Sequence, residues 1–275
     1  MATCVVASVT AMTAEPVPVS VVDRVARILD TVAASPRRIG LSALARESGV
    51  AKSSVHRICN ELLEHGLLER AGDGWTLGAK LFELGQRVPA RRRLRDVTLP
   101  SLEDLYISTR RTVHLAALEG DHVVYVEKLS GRDAVVTPSE VAGHMPLHCT
   151  ATGKCLLAFS PEDTIERVLA APLPPFTPRT ITSPSVLRDE LRTVRASGVA
   201  LERDEFADGF SSVAAPIFGL LGTALGALSV TGASARFNDA ALTPLVADAA
   251  ARSTARFGGR PPADAVWSTQ RTALP

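Results

Sequence analysis

Residues 50–65 read VAKSSVHRICNELLEH, and they carry two kinds of chemistry at helical spacing. Val55, Ile58, Cys59, Leu62 and Leu63 recur as one apolar face. Lys52, Ser53, Ser54, His56, Arg57 and Asn60 fall outside it, as a stripe of mixed donors and acceptors. Such groups suit phosphate oxygens and base edges in the major groove of duplex DNA. A solvated face with no partner is the competing reading. A second cluster lies in residues 144–155, HMPLHCTATGKC. His148, Cys149 and Cys155 invite a thiol nucleophile, and with His144 a metal or redox sensor. Neighbours in sequence are not thereby a nucleophile–base pair, and no Asn or Asp partner stands out. Thr152-Gly153-Lys154 lacks the earlier glycine of a phosphate-binding loop. Cys149 and Cys155 are expected to be buried small residues. The expectation is therefore no catalytic residue, no metal and no cofactor. The same segment opens a helix, whose free N–H groups and dipole favour an anion. Ser229 and Thr231 stand two apart on a strand and so face one side, where their hydroxyls could fix a carboxylate in an apolar cavity. The alternative is ordinary sheet residues bonded to backbone. Glu202 opposes an anionic ligand unless it is protonated or ion-paired.

Those residues need elements to place them. In residues 21–34, Val22, Val25, Leu29 and Val32 predict an amphipathic helix that Ser35-Pro36 ends. Ile39-Gly40-Leu41 is a short extended piece, and Ser42 is the expected N-cap of a second helix over 43–47. Gly49 turns the chain into a third helix from about Ala51 to His65, with Gly66 as its C-terminal cap. LLERAGDGWTL predicts a hairpin about Gly72-Asp73-Gly74. Helix, strand, helix, turn, helix, hairpin is the order of a winged helix-turn-helix; a three-helix bundle is the alternative. Residues 79–110 read as mostly helical, interrupted at Pro89 and Pro100. Between the prolines, Arg91, Arg92, Arg93 and Arg95 offer phosphate contacts or a solvated face. Leu81, Leu84, Leu94, Val97, Leu102 and Leu105 are expected to pack against a second subunit.

From residue 112 the texture changes. TVHLAALEGDHVVYVEKLS predicts two strands about a Gly-Asp turn, and DAVVTP a short third. ATGKCLLAF begins a helix, and 162–170 and 185–196 are two more. VALERDEF, SSVAAPIFG and TALGALSVTG are strands, and 238–257 is a closing helix with Leu242, Leu245, Val246 and Ala249 inward. The fold class is α+β, an antiparallel sheet with helices packed on it.

The chain has 275 residues, 46% hydrophobic and 21% charged, enough for two globular domains. No run of apolar residues reaches the length of a membrane span, and the N-terminus makes a poor secretory signal. Cys4, Cys59, Cys149 and Cys155 match no disulfide or zinc framework, which reads as a reducing, cytoplasmic setting. Residues 20–95 hold 14 Lys/Arg against 8 Asp/Glu, whereas residues 96–257 hold 14 against 19. A basic first part joined to an acidic second suggests that the first meets a polyanion.

The stretches LSALARESGVAKSSVHRICNELLEHGLLER, WTLGAKLFELG, VHLAALEGDHVVYVEK, MPLHCTATGKCLLAF, LRTVRASGVALERDEFADGFSSVAAPI and ALGALSVTG, with RTIT between, resemble the isocitrate lyase regulator (IclR) family of transcriptional regulators in order and spacing. The resemblance covers roughly residues 21–257. It implies a winged helix-turn-helix (20–78), a linker helix used for dimerisation (79–110) and an effector-binding domain of GAF/PAS-like fold (111–257); the residues on either side read as a flexible leader (1–19) and a flexible tail (258–275). It implies a regulator that answers a small carboxylic or aromatic acid. Its partner would be a near-palindromic DNA operator, bound by a homodimer or a dimer of dimers, with no membrane. Bases would be met by Arg57 and Asn60, supported by Ser53, Ser54 and His56. Phosphates would be met by Lys52 and Arg91 to Arg93. The effector pocket would be built from Met145, Ala151, Thr152, Gly153, Glu202, Ser212, Ser229 and Thr231. Ser212 stands where many relatives carry Cys, and Glu202 where binders of small keto acids carry Asp.

Overall fold

A computed structural model describes residues 20–262, apart from 36, 132–136 and 138. The expected leader and most of DAVVTP lie outside the described residues, as does the expected tail beyond residue 262. The chain divides into two compact units between Val88 and Pro89.

The first unit runs α1 (Val21–Ala34), β1 (Ile39–Gly40), α2 (Leu41–Ser48), α3 (Lys52–Glu64), β2 (Leu68–Ala71), β3 (Gly74–Leu77) and α4 (Ala79–Gly85). Ser20 caps α1 through the Asp23 N–H at 3.0 Å. The helix starting at Leu41 is capped by the backbone of Gly40, not by Ser42, because the short strand leads straight into it. Gly49 and Gly66 take left-handed φ of 68° and 70°, which ends α2 and α3 at a conformation glycine adopts without cost. Leu44, Val55, Ile58, Leu68 and Trp75 fill the core, each buried apolar side chain contributing roughly 1.5–3 kcal/mol against its exposed state. Two side chains depart from the expected faces. Val22 is exposed and Ile28 takes the central place on α1; Leu63, at the last turn of α3, is also exposed. The strands order as β1-β3-β2, with Ala71 opposite Gly74 across a two-residue turn. Gly78 brings its backbone against Gly66 so closely that a Cβ there would collide with the Gly66 carbonyl. The Gly78 N–H donates to Leu67 O at 2.9 Å, clasping the start of α4 to the end of α3.

The second unit runs α5 (Pro89–Thr109), β4 (Thr112–Glu119), β5 (His122–Leu129), β6 (His144–Pro146), α6 (Ala151–Ala158), α7 (Glu162–Ala170), α8 (Pro184–Ser197), β7 (Ala200–Arg203), β8 (Phe210–Phe218), β9 (Ala224–Ala233) and α9 (Asp239–Arg256). Pro89 opens α5, whereas Pro100 sits inside it. The expected 79–110 segment is thus divided between the units. Leu94, Leu102 and Leu105 are spent inside their own domain, in a core with Leu115, Leu228 and Val246, instead of waiting for a second subunit. Leu245 is exposed.

One six-stranded antiparallel sheet, β6-β5-β4-β9-β8-β7, forms the middle layer. Alternation along the strands sends Val113, Leu115, Val213, Leu228 and Val230 to the face shared with α5 and α9. Ala116, Tyr125, Ala214 and Ala227 go to the other face, shared with α6, α7 and α8. No described helix is long and apolar enough to cross a membrane.

Candidate functional site

The sheet register builds a polar row on the α6 side. Glu202 lies opposite Ser212, and Ser212 opposite Thr231, across β7, β8 and β9. One step along, Ser229 lies opposite His114. Small residues Ala116, Ala214 and Ala227 leave room beneath α6, and the result is a cavity of about 40 Å³. Of the expected effector residues, Met145, Ala151, Thr152, Glu202, Ser212, Ser229 and Thr231 line it. Gly153 does not. It is packed beneath the chain, where an added Cβ would lie 2.5 Å from Leu147 O and 2.6 Å from Thr150 Oγ1. Its N–H donates to Thr150 Oγ1 at 3.1 Å as a helix cap, so the amides that head α6 without a helical acceptor are those of Ala151 and Thr152.

Other lining residues escaped the sequence reading: His114, Tyr125, Thr137, Ser139, Phe206 and Phe210 among them. His114 and Tyr125 stack with centroids 4.5 Å apart. His114 Nε2 shares a 2.8 Å hydrogen bond with Ser139 Oγ, which lies 2.7 Å from Thr137 Oγ1. Burial, and secondarily Lys128, hold the imidazole down at about pKa 3, so it is neutral. Burial also pushes the Tyr125 phenol up to about 12. The Thr152 hydroxyl, near enough to the phenol to oppose that shift, forms no hydrogen bond of ordinary geometry within the protein. It is 2% exposed and belongs to the cavity wall. An orphan hydroxyl in such a place calls for a polar ligand or water.

Glu202 is 4% exposed, and burial lifts its carboxyl to about pKa 7 against the amides of Glu205 and Phe206. Those amides donate to Glu202 Oε1 at 2.9 and 3.4 Å. Near neutral pH this group therefore offers a donor as readily as a charge. Behind it, Lys154 Nζ meets Glu205 Oε1 at 2.7 Å and Glu190 Oε1 at 3.1 Å. The loop after β7 is strapped further by Thr177 Oγ1 to Asp204 O and Thr180 Oγ1 to Glu205 O, both at 2.6 Å.

The thiols are not aligned for chemistry. Burial raises Cys149 to about pKa 12 and raises Cys155 as well, and a thiol rather than a thiolate is a poor nucleophile. His148 Nε2 is engaged with Pro174 O at 3.0 Å. Among the described residues, no group of three or more His, Cys, Asp or Glu is placed to hold a metal ion.

In the first unit, α3 presents Lys52, Ser53, His56 and Arg57 exposed and Ser54 and Asn60 half-buried. Arg57 Nη1 pairs with Glu61 at 2.7 Å, and Asn60 Nδ2 lies 3.5 Å from His56 Nδ1. The arginines of α5 are placed differently from the expected phosphate contacts. Arg91 is bound to Glu119 at 2.6 Å, Arg92 pairs with Asp96, and Arg93 lies over Phe257. Acidic and aromatic neighbours of the second unit already engage these side chains.

Two family models match this chain. The IclR helix-turn-helix domain covers residues 21–72, and the bacterial transcriptional regulator IclR C-terminal domain covers residues 86–256. The chain is 30% identical over 224 residues to the transcriptional regulator XynR of Escherichia coli, spanning 80% of this chain and 89% of that protein. It is 35% identical over 216 residues to the glycerol operon regulatory protein of Streptomyces coelicolor, spanning 78% and 85%. Among solved structures, an IclR homolog from Microbacterium hydrocarbonoxydans complexed with 4-hydroxybenzoate matches with TM-score 0.81 and 31% identity, over 87% of this chain and 99% of that one.

Proposed function

We infer the function from one premise: this chain belongs to the IclR family of bacterial transcriptional regulators, whose members are DNA-binding helix-turn-helix regulators and not enzymes. In our reading it binds a near-palindromic operator as a homodimer and changes its affinity when a small carboxylic acid enters the cavity under α6. The helix α3 enters the major groove, with Arg57 and Asn60 toward base edges and Lys52 with the free amides at the helix start toward phosphate. Its exposed polar stripe supports that orientation.

The observation that carries the effector reading is the orphan Thr152 hydroxyl beside the opening amides of α6, facing a carboxyl held near neutrality. A ligand carboxylate accepts from the Ala151 and Thr152 amides and the Thr152 hydroxyl, while protonated Glu202 donates to it from across the cavity. Among the described residues no Lys or Arg lines the wall, and there the proton on Glu202 takes the part of a basic side chain. Ligand strain at the sheet passes to α5, which packs on β4, β5 and β9 and continues in sequence into the first unit. The related Microbacterium protein binds an aromatic acid, which supports the ligand class.

The test is fluorescence anisotropy with promoter fragments from the chain's own genomic neighbourhood, with and without acetate, pyruvate or benzoate. Saturable binding that shifts with one acid supports the proposal. Binding to no fragment at low salt overturns the DNA reading, and unshifted binding overturns the effector reading.

A further inference from the structure

Phe206 lines two spaces that share no other residue among those described. On one side is the cavity of about 40 Å³ with Glu202, Thr152 and the polar row. On the other is an open groove of about 590 Å³ whose walls include His144, His148, Leu173, Pro174 and Phe176. The Phe206 ring packs on Phe176 at 5.1 Å between centroids, and Phe176 is 46% exposed at the groove. The aromatic side chain therefore lies between a small inner pocket that holds the polar row and a wider groove.

The sizes decide what the partition does. A cavity needs on the order of 10–15 Å³ for each water-sized occupant, so the inner space takes roughly three. Engineered cavities that accept a benzene ring measure about 150 Å³. An acetate or small keto acid fits the inner space; an aromatic acid does not while Phe206 is in place. The backbone around Phe206 fixes where the ring can go. Asp204 adopts φ +57°, and its carboxylate receives the Gly209 N–H at 2.8 Å and the Ser234 hydroxyl at 2.6 Å, which closes the base of the loop. Glu205 is held by Lys154. The Phe206 amide, by contrast, has one long bond, to Glu202 Oε1 at 3.4 Å. The base is anchored, and beyond it the ring is placed by packing on Phe176 and the core under α6.

We propose that Phe206 is the specificity-determining residue of the effector cavity, closing it against aromatic carboxylic acids and restricting it to small aliphatic ones. The proposal rests on the effector reading above. Replacing the ring joins the pocket to the groove, so that a benzoate carboxylate reaches Thr152 while its ring occupies the space toward Phe176.

The experiment is calorimetric titration of the full chain with acetate, pyruvate and benzoate, for wild type, Phe206→Ala and Phe206→Leu, each checked for an intact melting transition. Wild type is expected to bind acetate or pyruvate and to reject benzoate. Phe206→Ala is expected to gain benzoate binding by about tenfold or more and to keep its small-acid affinity, with Phe206→Leu between. Benzoate binding equally well to wild type and Phe206→Ala overturns the gate, as does small-acid binding without any gain of benzoate in either variant. A wild type that binds none of the three probes refutes the effector reading itself. If Phe206→Ala fails to fold, Phe206→Leu carries the same comparison.

Discussion

Lys154 Nζ lies 2.7 Å from Glu205 Oε1, with the lysine side chain 1% exposed. The pair joins α6, which opens on the cavity, to the loop that bears Phe206. Burial still holds the Glu205 carboxyl above its ordinary pKa despite the neighbouring ammonium, and its second oxygen has no partner. Removing one member of a buried pair strands the other, whereas removing both does not. Lys154→Met is expected to cost about 3–5 kcal/mol in urea unfolding. Lys154→Met with Glu205→Leu is expected to recover most of that loss. Equal destabilisation by the single and double variants would mean that the contact is not energetically coupled.

Glu202 sets a pH window. Its folded-state pKa is raised from 4.5 to about 7, so its stabilising contribution is complete below about pH 4.5 and is lost as pH rises through about 7. Glu202→Gln is expected to be more stable than wild type at pH 8 by about 3 kcal/mol, with no gain at pH 4. Affinity for acetate should fall in wild type as pH rises above about 7, by up to about tenfold per unit for one linked proton. In Glu202→Gln it should be flat. A pH-independent wild-type affinity would exclude the proton on Glu202 as the ligand's donor.

On α3, Arg57 is shared between Glu61 and the proposed DNA contact. The pair is exposed, and pairs of this kind contribute little, about 0.2–1 kcal/mol. Arg57→Ala is expected to cost about 1–3 kcal/mol of operator binding and to relax preference at one base position. Glu61→Ala should strengthen binding, because it frees the guanidinium and removes a charge that repels phosphate. Lys52→Ala should weaken all sequences alike and reduce the salt slope by about 1. An unchanged anisotropy titration for Arg57→Ala would refute the assigned orientation.

Gly153 has no room for a methyl group, with Leu147 O and Thr150 Oγ1 both inside normal contact distance of a Cβ. Gly153→Ala is expected to destabilise by about 1–3 kcal/mol through overpacking, and to lose acetate binding as the first turn of α6 shifts. A variant with wild-type melting and binding would show that this turn gives way more easily than its packing implies.

Much of this was legible in the sequence because period carries it. The 3.6-residue repeat of α3, the left-handed glycines at 49 and 66, and the hairpin about Gly72-Asp73 are local signals, and all appear in the fold. Errors arose where local pattern met tertiary choice. Leu94, Leu102 and Leu105 have the same spacing whether they meet a neighbour or their own sheet. Val22, Leu63 and Leu245 fit apolar stripes but sit at stripe edges, where a few degrees of rotation exposes them. At the cavity, His114 carried a readable cue, since its strand alternates with Val113 and Leu115 on the opposite face. Phe206 carried none. It lies in an irregular loop, and its place depends on the Lys154–Glu205 pair and on threonines that reach it from residues 177–180.

The backbone clasp between Gly66 and Gly78 sets the chain leaving α3 directly against the start of α4. In the proposed regulator, a displacement at Val88, the last residue of the first unit, would reach α3 by way of α4 and this backbone contact. Tightening or loosening that joint would retune how strongly a bound acid is felt on DNA, without touching either binding surface.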